Sequence, residues 1–196
     1  TRTHFNQRLA LVADSAADLQ TKLAAVEQGE RTIGVVRGAV GQNRPRIAFL
    51  FTGQGAQYLG MGRELYETAP LFRAILDRCE VVAQAELGRS LLELLYPATP
   101  PAHNDLMESH PCGQAVNFAL ECALADLWSA WGVQPAMVLG HSLGDFAAAY
   151  TAGVLTLEDG LRLVIERGRL MATAQGSMVS VLASAATVRP FITEDD

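Results

Sequence analysis

Apolar and polar positions along this chain follow two periods in turn, and the switches between them mark out its elements. Leu9 to Ala13 is an apolar run of strand length. From Ala16 to Gln28 apolar residues recur at helical spacing, with Leu19, Leu23 and Val26 on one face. Asp14 or Ser15 is placed to cap that helix, and Gly29 to stop it. Ile33 to Val40 predicts a second strand, and Gly41 to Pro45 is a linker by composition, where a boundary is expected. Ile47 to Phe51 is unbroken in its apolar character, the pattern of a strand covered on both faces in a parallel sheet. After a Gly-rich turn from Thr52 to Gly62, helical patterns occupy residues 63–67, 69–87 and 91–95, and Pro97 to Pro101 is a loop.

The second half repeats the alternation. Gln114 to Trp131 predicts a helix with Phe118, Cys122, Ala125 and Trp128 at helical spacing. Ala136 to Leu139 is strand-like, and an Ala-rich helical run from Asp145 to Tyr150 follows. Thr156 and Asp159 open another helix that runs to about Ala174 and ends at Gly176, with Leu161, Val164, Ile165 and Met171 inward. Met178 to Leu182 opens a further strand. Strands alternating with helices predict an α/β fold.

Composition narrows the function classes. A hydrophobic content of 49% argues against disorder, and 196 residues can bury a sizeable core. The net charge of −6, with no Arg/Lys cluster, argues against nucleic acid or an anionic membrane as partner. Cys79, Cys112 and Cys122 lack Cys-x-x-Cys spacing, which fits reduced thiols in the cytoplasm and no metal site. Thr1 to Arg8 is no signal peptide, and the longest apolar stretch, 115–133, is broken by Glu121 and Asp126 and so reads as a packed helix.

The candidate chemistry centres on Gly140-His141-Ser142-Leu143-Gly144, between a strand pattern and a helix pattern. This is the Gly-x-Ser-x-Gly form of a nucleophile elbow, in which small residues permit a tight turn that holds the serine out at the sheet's edge. The following helix offers unpaired N–H groups and its positive end to a developing oxyanion. The Gly-rich loop after Phe51 lies where α/β sheets bind ligands, so the Gln54 N–H is a candidate second donor beside that of Leu143. No Gly-Lys-Ser/Thr follows, which argues against a nucleotide loop. Arg167 is either a bidentate carboxylate clamp or a surface arginine paired with Glu166 or Asp159. His141, next to Ser142, is a poor base for it, since adjacent elbow residues point apart. His4, His103 and His110 offer no evident partner either.

Phe51 to Gly62 (FTGQGAQYLGMG), then Gly140 to Gly144 (GHSLG), then Arg167 to Met171 (RGRLM) resemble, in order and spacing, the acyltransferase domain of modular type I polyketide synthases. That class includes the malonyl-CoA:acyl-carrier-protein transacylases of fatty acid synthesis. Residues 1–43 resemble the end of the linker between ketosynthase and acyltransferase. The resemblance implies a parallel-sheet, α/β-hydrolase-like large subdomain with a nucleophile elbow, beginning in residues 44–177. It also implies the start of a ferredoxin-like small subdomain in 178–196 and a short α+β linker piece at the N-terminus.

By the same resemblance Ser142 takes a malonyl-type extender unit from acyl-CoA as an acyl-serine and passes it to the phosphopantetheine thiol of an acyl carrier protein. Arg167 binds the free carboxylate, and the N–H groups of Gln54 and Leu143 form the oxyanion hole. Gln114, His141 and Met171 line the substrate pocket. Gln114 matches a family Gln-Pro-Ala-Leu-Phe stretch in which Ala115 here replaces the proline, and Asp145 stands where glutamate is usual. Leu143 in place of the glutamine of methylmalonyl-selective domains leans to malonyl. No cofactor or metal is expected in the domain. The implied partners are the carrier protein, the ketosynthase and other domains of the synthase, and the missing C-terminal part of the acyltransferase.

The family's catalytic histidine lies well beyond the serine, past the small subdomain, whereas this sequence ends 54 residues after Ser142. The expectation is an incomplete acyltransferase, weak or inactive alone, from a multifunctional enzyme of antibiotic-type biosynthesis. An α/β-hydrolase-type esterase or thioesterase shares the elbow but has no use for Arg167, and an inactive structural fragment is the third alternative.

Overall fold

The computed structural model describes residues 5–41, 45–99, 109–174 and 181–192. The chain divides into two compact units, Thr1–Arg46 and Ile47–Asp196. In the first, strands β1 (Gln7–Leu11) and β2 (Val35–Ala39) pair antiparallel, with Leu9 opposite Arg37, and helix α1 (Ala16–Glu27) joins them. Of the two candidate caps Ser15 takes the position, its hydroxyl accepting from the Asp18 N–H at 3.1 Å. Of the stripe expected on α1, Leu19 and Leu23 are exposed and Val26 is half-buried, and no described residue of this unit is buried.

The second unit holds the core. Strands β3 (Ala48–Phe51) and β4 (Met137–Gly140) pair in parallel, Phe49 opposite Val138 and Phe51 opposite Gly140. Around them lie α2 (Arg63–Thr68), α3 (Pro70–Leu87), α4 (Leu91–Leu95), α5 (His110–Ala130), α6 (Gly144–Thr151), α7 (Leu157–Thr173) and the short α8 (Ala185–Val188). Parallel strands joined through helices make this an α/β fold.

The expectation that β3 is covered on both faces is corrected. Phe51 is buried and Phe49 and Val138 are half-buried on the helix-covered face, whereas Leu50, Met137 and Leu139 on the other are 72%, 51% and 64% exposed. The apolar run is real, but the described residues supply a helical layer to one side only. Of the residues at helical spacing on α5, Phe118, Cys122 and Ala125 are buried, whereas Trp128 is 48% exposed.

Helix α5 is the centre of the core and begins four residues earlier than its pattern suggests. Pro111 sits in its first turn, where a missing N–H costs nothing, so the proline starts the helix rather than preventing it. Phe72, Leu76 and Cys79 of α3, Phe118 and Cys122 of α5, and Leu161, Val164 and Ile165 of α7 are buried together. Each large side chain there contributes on the order of 2 kcal/mol by its removal from water. Thr156 caps α7 by accepting from the Asp159 N–H at 3.1 Å. Arg78 of α3 clasps Glu158 at the same end, donating through Nε and Nη2 at 3.0 and 2.7 Å. The predicted end of α7 at Gly176, the strand opening at Met178, and His4 and His103 lie outside the described residues. Val181 and Leu182 are in no strand.

Candidate active site

The turn from β4 into α6 is built by two glycines around one strained serine. Ser142 has φ +55°, the left-handed region, and is the one described non-glycine residue with positive φ. A Cβ on Gly140 would overlap the Asp145 backbone nitrogen, and one on Gly144 would lie 2.5 and 2.6 Å from the carbonyl oxygens of Phe51 and Thr52. The turn therefore closes on itself at Gly140 and presses against the end of β3 at Gly144. The His141 N–H donates to the Phe51 carbonyl at 3.0 Å, extending the sheet ladder one rung into the turn. Ser142 is left exposed at the carboxyl edge of the sheet, at the start of α6.

The N–H groups of Gly144, Asp145 and Phe146 are taken by the carbonyls of His141, Ser142 and Leu143, closing the first turn of α6. The N–H of buried Leu143 and the N–H of Gln54 make no hydrogen bond among the described residues. The imidazole of His141 lies against the 52–55 loop, where a Cβ on Gly53 would come 2.9 Å from its Nδ1.

Helix α7 turns Arg167 inward. Glu166 pairs instead with Arg169 at 3.1 Å, and Asp159 with Arg162 at 3.3 Å, so neither acid expected as an alternative partner holds it. The guanidinium donates from Nη2 to Ser142 Oγ at 3.0 Å and from Nη1 to Gln114 Oε1 at 2.8 Å. Gln114 is fully buried and donates from Nε2 to Gln54 Oε1 at 3.2 Å and to the Met171 sulfur at 3.3 Å. Ser142, Arg167, Gln114, Gln54 and Met171, named from sequence, are thus one connected group, with the Leu143 backbone at the elbow. His141 touches the group's loop, not the serine hydroxyl.

Three residues of this surround carry no role in the sequence analysis. The side chain of Asn117 donates to the Gly53 carbonyl at 3.3 Å. Glu121 accepts at Oε1 from the Thr52 N–H at 2.6 Å and from its hydroxyl at 2.8 Å. His110 Nδ1 lies 3.2 Å from Gln54 Oε1. The signal was present: His110, Gln114, Asn117 and Glu121 recur at i, i+4, i+7 and i+11, a polar stripe down one face of a mostly apolar helix. Each rung holds one residue of the loop, Thr52, Gly53 or Gln54. Burial pushes the Glu121 carboxyl above the usual range, against the pull of the two Thr52 hydrogen bonds, and its Oε2 is buried without a hydrogen-bond partner among the described residues.

Other chemistries find less support. Cys79, Cys112 and Cys122 are buried free thiols; burial pushes Cys79 up to about 12 and Cys122 well above its ordinary value, so neither supplies a thiolate. Among the described residues no group of three or more His, Cys, Asp or Glu side chains is placed to hold a metal ion. No described helix is long and apolar enough to cross a membrane.

The chain is similar to known proteins over nearly its whole length. A family profile described as acyl transferase domain matches residues 48–196. The PKS-NRPS hybrid synthetase acdB of Aspergillus candidus is 42% identical over 198 residues, which cover 100% of this chain and 8% of that protein. Among solved structures, the acyl transferase domain of ZmaA superposes with a TM-score of 0.78 at 37% identity, covering 88% of this chain and 39% of that one. A malonyl-transacylase solved in complex with a type II PKS acyl-carrier protein superposes with a TM-score of 0.56 at 30% identity, covering 65% of this chain and 39% of that one. The chain therefore spans a small part of the curated relative and about two fifths of the solved domains.

Proposed function

Because this chain belongs to the acyl transferase domain family of type I polyketide synthases, we propose that Ser142 carries a malonyl-type acyl group between coenzyme A and the phosphopantetheine thiol of an acyl carrier protein. The observation that carries this reading is the 3.0 Å contact between Arg167 Nη2 and Ser142 Oγ. A nucleophile and a carboxylate-binding fork this close suit an acyl group whose carboxylate lies one methylene from its thioester carbonyl. An esterase for neutral substrates gains nothing from a cation at its nucleophile.

In the proposed cycle Ser142 Oγ attacks the thioester carbon and the carbon–sulfur bond breaks. The hydroxyl proton ends on the departing coenzyme A thiol. The carrier's thiol then attacks the acyl-serine, and its proton returns to the serine oxygen. Negative charge on the carbonyl oxygen in each step is met by an oxyanion hole of the Leu143 and Gln54 N–H groups, which make no hydrogen bond among the described residues. The strained φ of Ser142 keeps its hydroxyl out at the sheet edge for both attacks. Arg167 exchanges its bond to Oγ for the extender's carboxylate, with Gln114 holding its other nitrogen and Met171 beside them.

The proposal extends to architecture and assembly. We assign residues 44–177 to the first part of an α/β-hydrolase-like large subdomain, 178–196 to the start of a ferredoxin-like small one, and 1–43 to the end of a ketosynthase–acyltransferase linker. The malonyl-transacylase caught with its carrier protein supports an acyl carrier protein as partner here. Intact mass after incubation with malonyl-CoA tests the covalent step: one malonyl adduct on the wild type and none on Ser142→Ala support it. An adduct that persists in Ser142→Ala contradicts it, whereas no adduct on the wild type is the inactivity expected of an incomplete domain and leaves the family assignment standing.

A further inference from the structure

We infer that His110 is a positioning residue for the Arg167 guanidinium, acting through the side-chain amides of Gln54 and Gln114. The argument starts from what each group can donate. A guanidinium has N–H donors and no acceptor, so the atom of Gln114 that meets Arg167 Nη1 at 2.8 Å must be its oxygen. That turns the Gln114 amide nitrogen toward Gln54 and Met171. Facing an N–H, the nearer atom of Gln54 must in turn be its oxygen. His110 Nδ1, 3.2 Å from that same oxygen, must then carry a proton and donate.

One permanent cation thus sets the polarity of two amides and the tautomer of an imidazole. In return, His110 and Gln114 together occupy the Gln54 oxygen, which holds the Gln54 amide, and through it the Gln114 amide, in the orientation that Arg167 needs. Without His110 the Gln54 side chain has one partner fewer and is free to rotate away, loosening Gln114 against the guanidinium. The backbone fixes this geometry as well. Gly168, next to Arg167, lies against the first turn of α5, where a Cβ would come 2.5 Å from Pro111 Cα and 2.9 Å from the His110 carbonyl carbon. Helix α7 therefore meets α5 at His110–Pro111, one residue from the clamp.

The inference rests on reading Arg167 as the carboxylate clamp, and its test does not depend on turnover. Long-range 1H–15N spectra of the imidazole nitrogens, with His110 assigned by its loss in His110→Asn, are expected to show the Nδ1–H form in the wild type. A mixture of tautomers is expected in Arg167→Ala. A wild-type Nε2–H form, or a tautomer indifferent to Arg167→Ala, overturns the coupling even if Ser142 is acylated. The coupling without any acylation leaves His110's role intact and bears on the activity of this chain alone.

Loading then gives the functional measure. His110→Ala is expected to lower the preference for malonyl-CoA over acetyl-CoA by about tenfold, the worth of one hydrogen bond, with acetyl loading little changed. His110→Asn, whose amide nitrogen stands near the Nδ1 position, should restore most of that preference. An equal fall with both thioesters, or no recovery in His110→Asn, would show a general structural role instead.

Discussion

The two halves of the candidate site are built in different ways. The serine half is backbone: five consecutive residues, Gly140 to Gly144, fix a positive φ at Ser142, and the Leu143 N–H within them makes no hydrogen bond among the described residues. The arginine half is side chain: Arg167, Gln114, Gln54 and His110 come from α7, α5 and the loop after β3, and meet only through tertiary packing. The first half tolerates almost no change of shape. The second tolerates shape changes but depends on the order of donors and acceptors. Substitution in the one should therefore remove the fold locally, and in the other should leave the fold and remove selectivity.

Gly144→Ala should show the largest effect, because its Cβ meets two backbone carbonyls that have no rotamer to escape to. A loss of about 3 kcal/mol or more in urea unfolding is expected; a loss below about 1 kcal/mol would mean that the elbow is looser than described. Gln114→Leu comes next. It keeps the volume but leaves the Gln54 oxygen with one donor fewer and Arg167 without its buried acceptor, a cost of about 1–3 kcal/mol in stability. If Gln114→Leu were as stable as the wild type, the network would not be a single unit.

Glu121→Gln is expected to be milder and visible mainly in pH. Burial raises the Glu121 carboxyl in the fold, so the native state holds its proton more tightly than the unfolded chain. Its contribution is fully present below the ordinary glutamate range and is lost as pH rises through the raised value. The amide keeps an oxygen for the Thr52 bonds, so Glu121→Gln should flatten the fall in stability above that range in unfolding curves taken across pH. The smallest effect should come from Arg78→Ala. That pair with Glu158 is about half open to solvent and is worth under about 1 kcal/mol, read as a small shift in Tm.

The same division explains what could be read from the chain before its fold was known. The elbow is a local object, and its five residues between strand and helix patterns named Ser142 and Leu143 directly. Arg167 and Gln114 were named as candidates, but their partners were not: a guanidinium that bonds Gln114 instead of Glu166 is a fact of helix packing, not of spacing. His110 shows no evident partner in the sequence because the helical pattern is plain only from Gln114, although Pro111, one residue into the helix, marks its start. Asn117 and Glu121 were hidden inside an apolar run whose polar positions look sporadic until they are counted along one helix face. The open face of β3 departs from expectation for the converse reason, since an apolar run shows what a strand can bury and not what covers it.

The most direct test of the central claim compares the rates at which malonyl-CoA and acetyl-CoA acylate Ser142, followed by intact mass, in the wild type and in Arg167→Ala. If nucleophile and clamp form one site, the wild type prefers malonyl, and Arg167→Ala loses that preference by about ten- to a hundredfold, as expected for hydrogen bonds to a charged group, with acetyl loading nearly unchanged. A preference for malonyl that survives Arg167→Ala would contradict the account, because the carboxylate would then be recognised elsewhere.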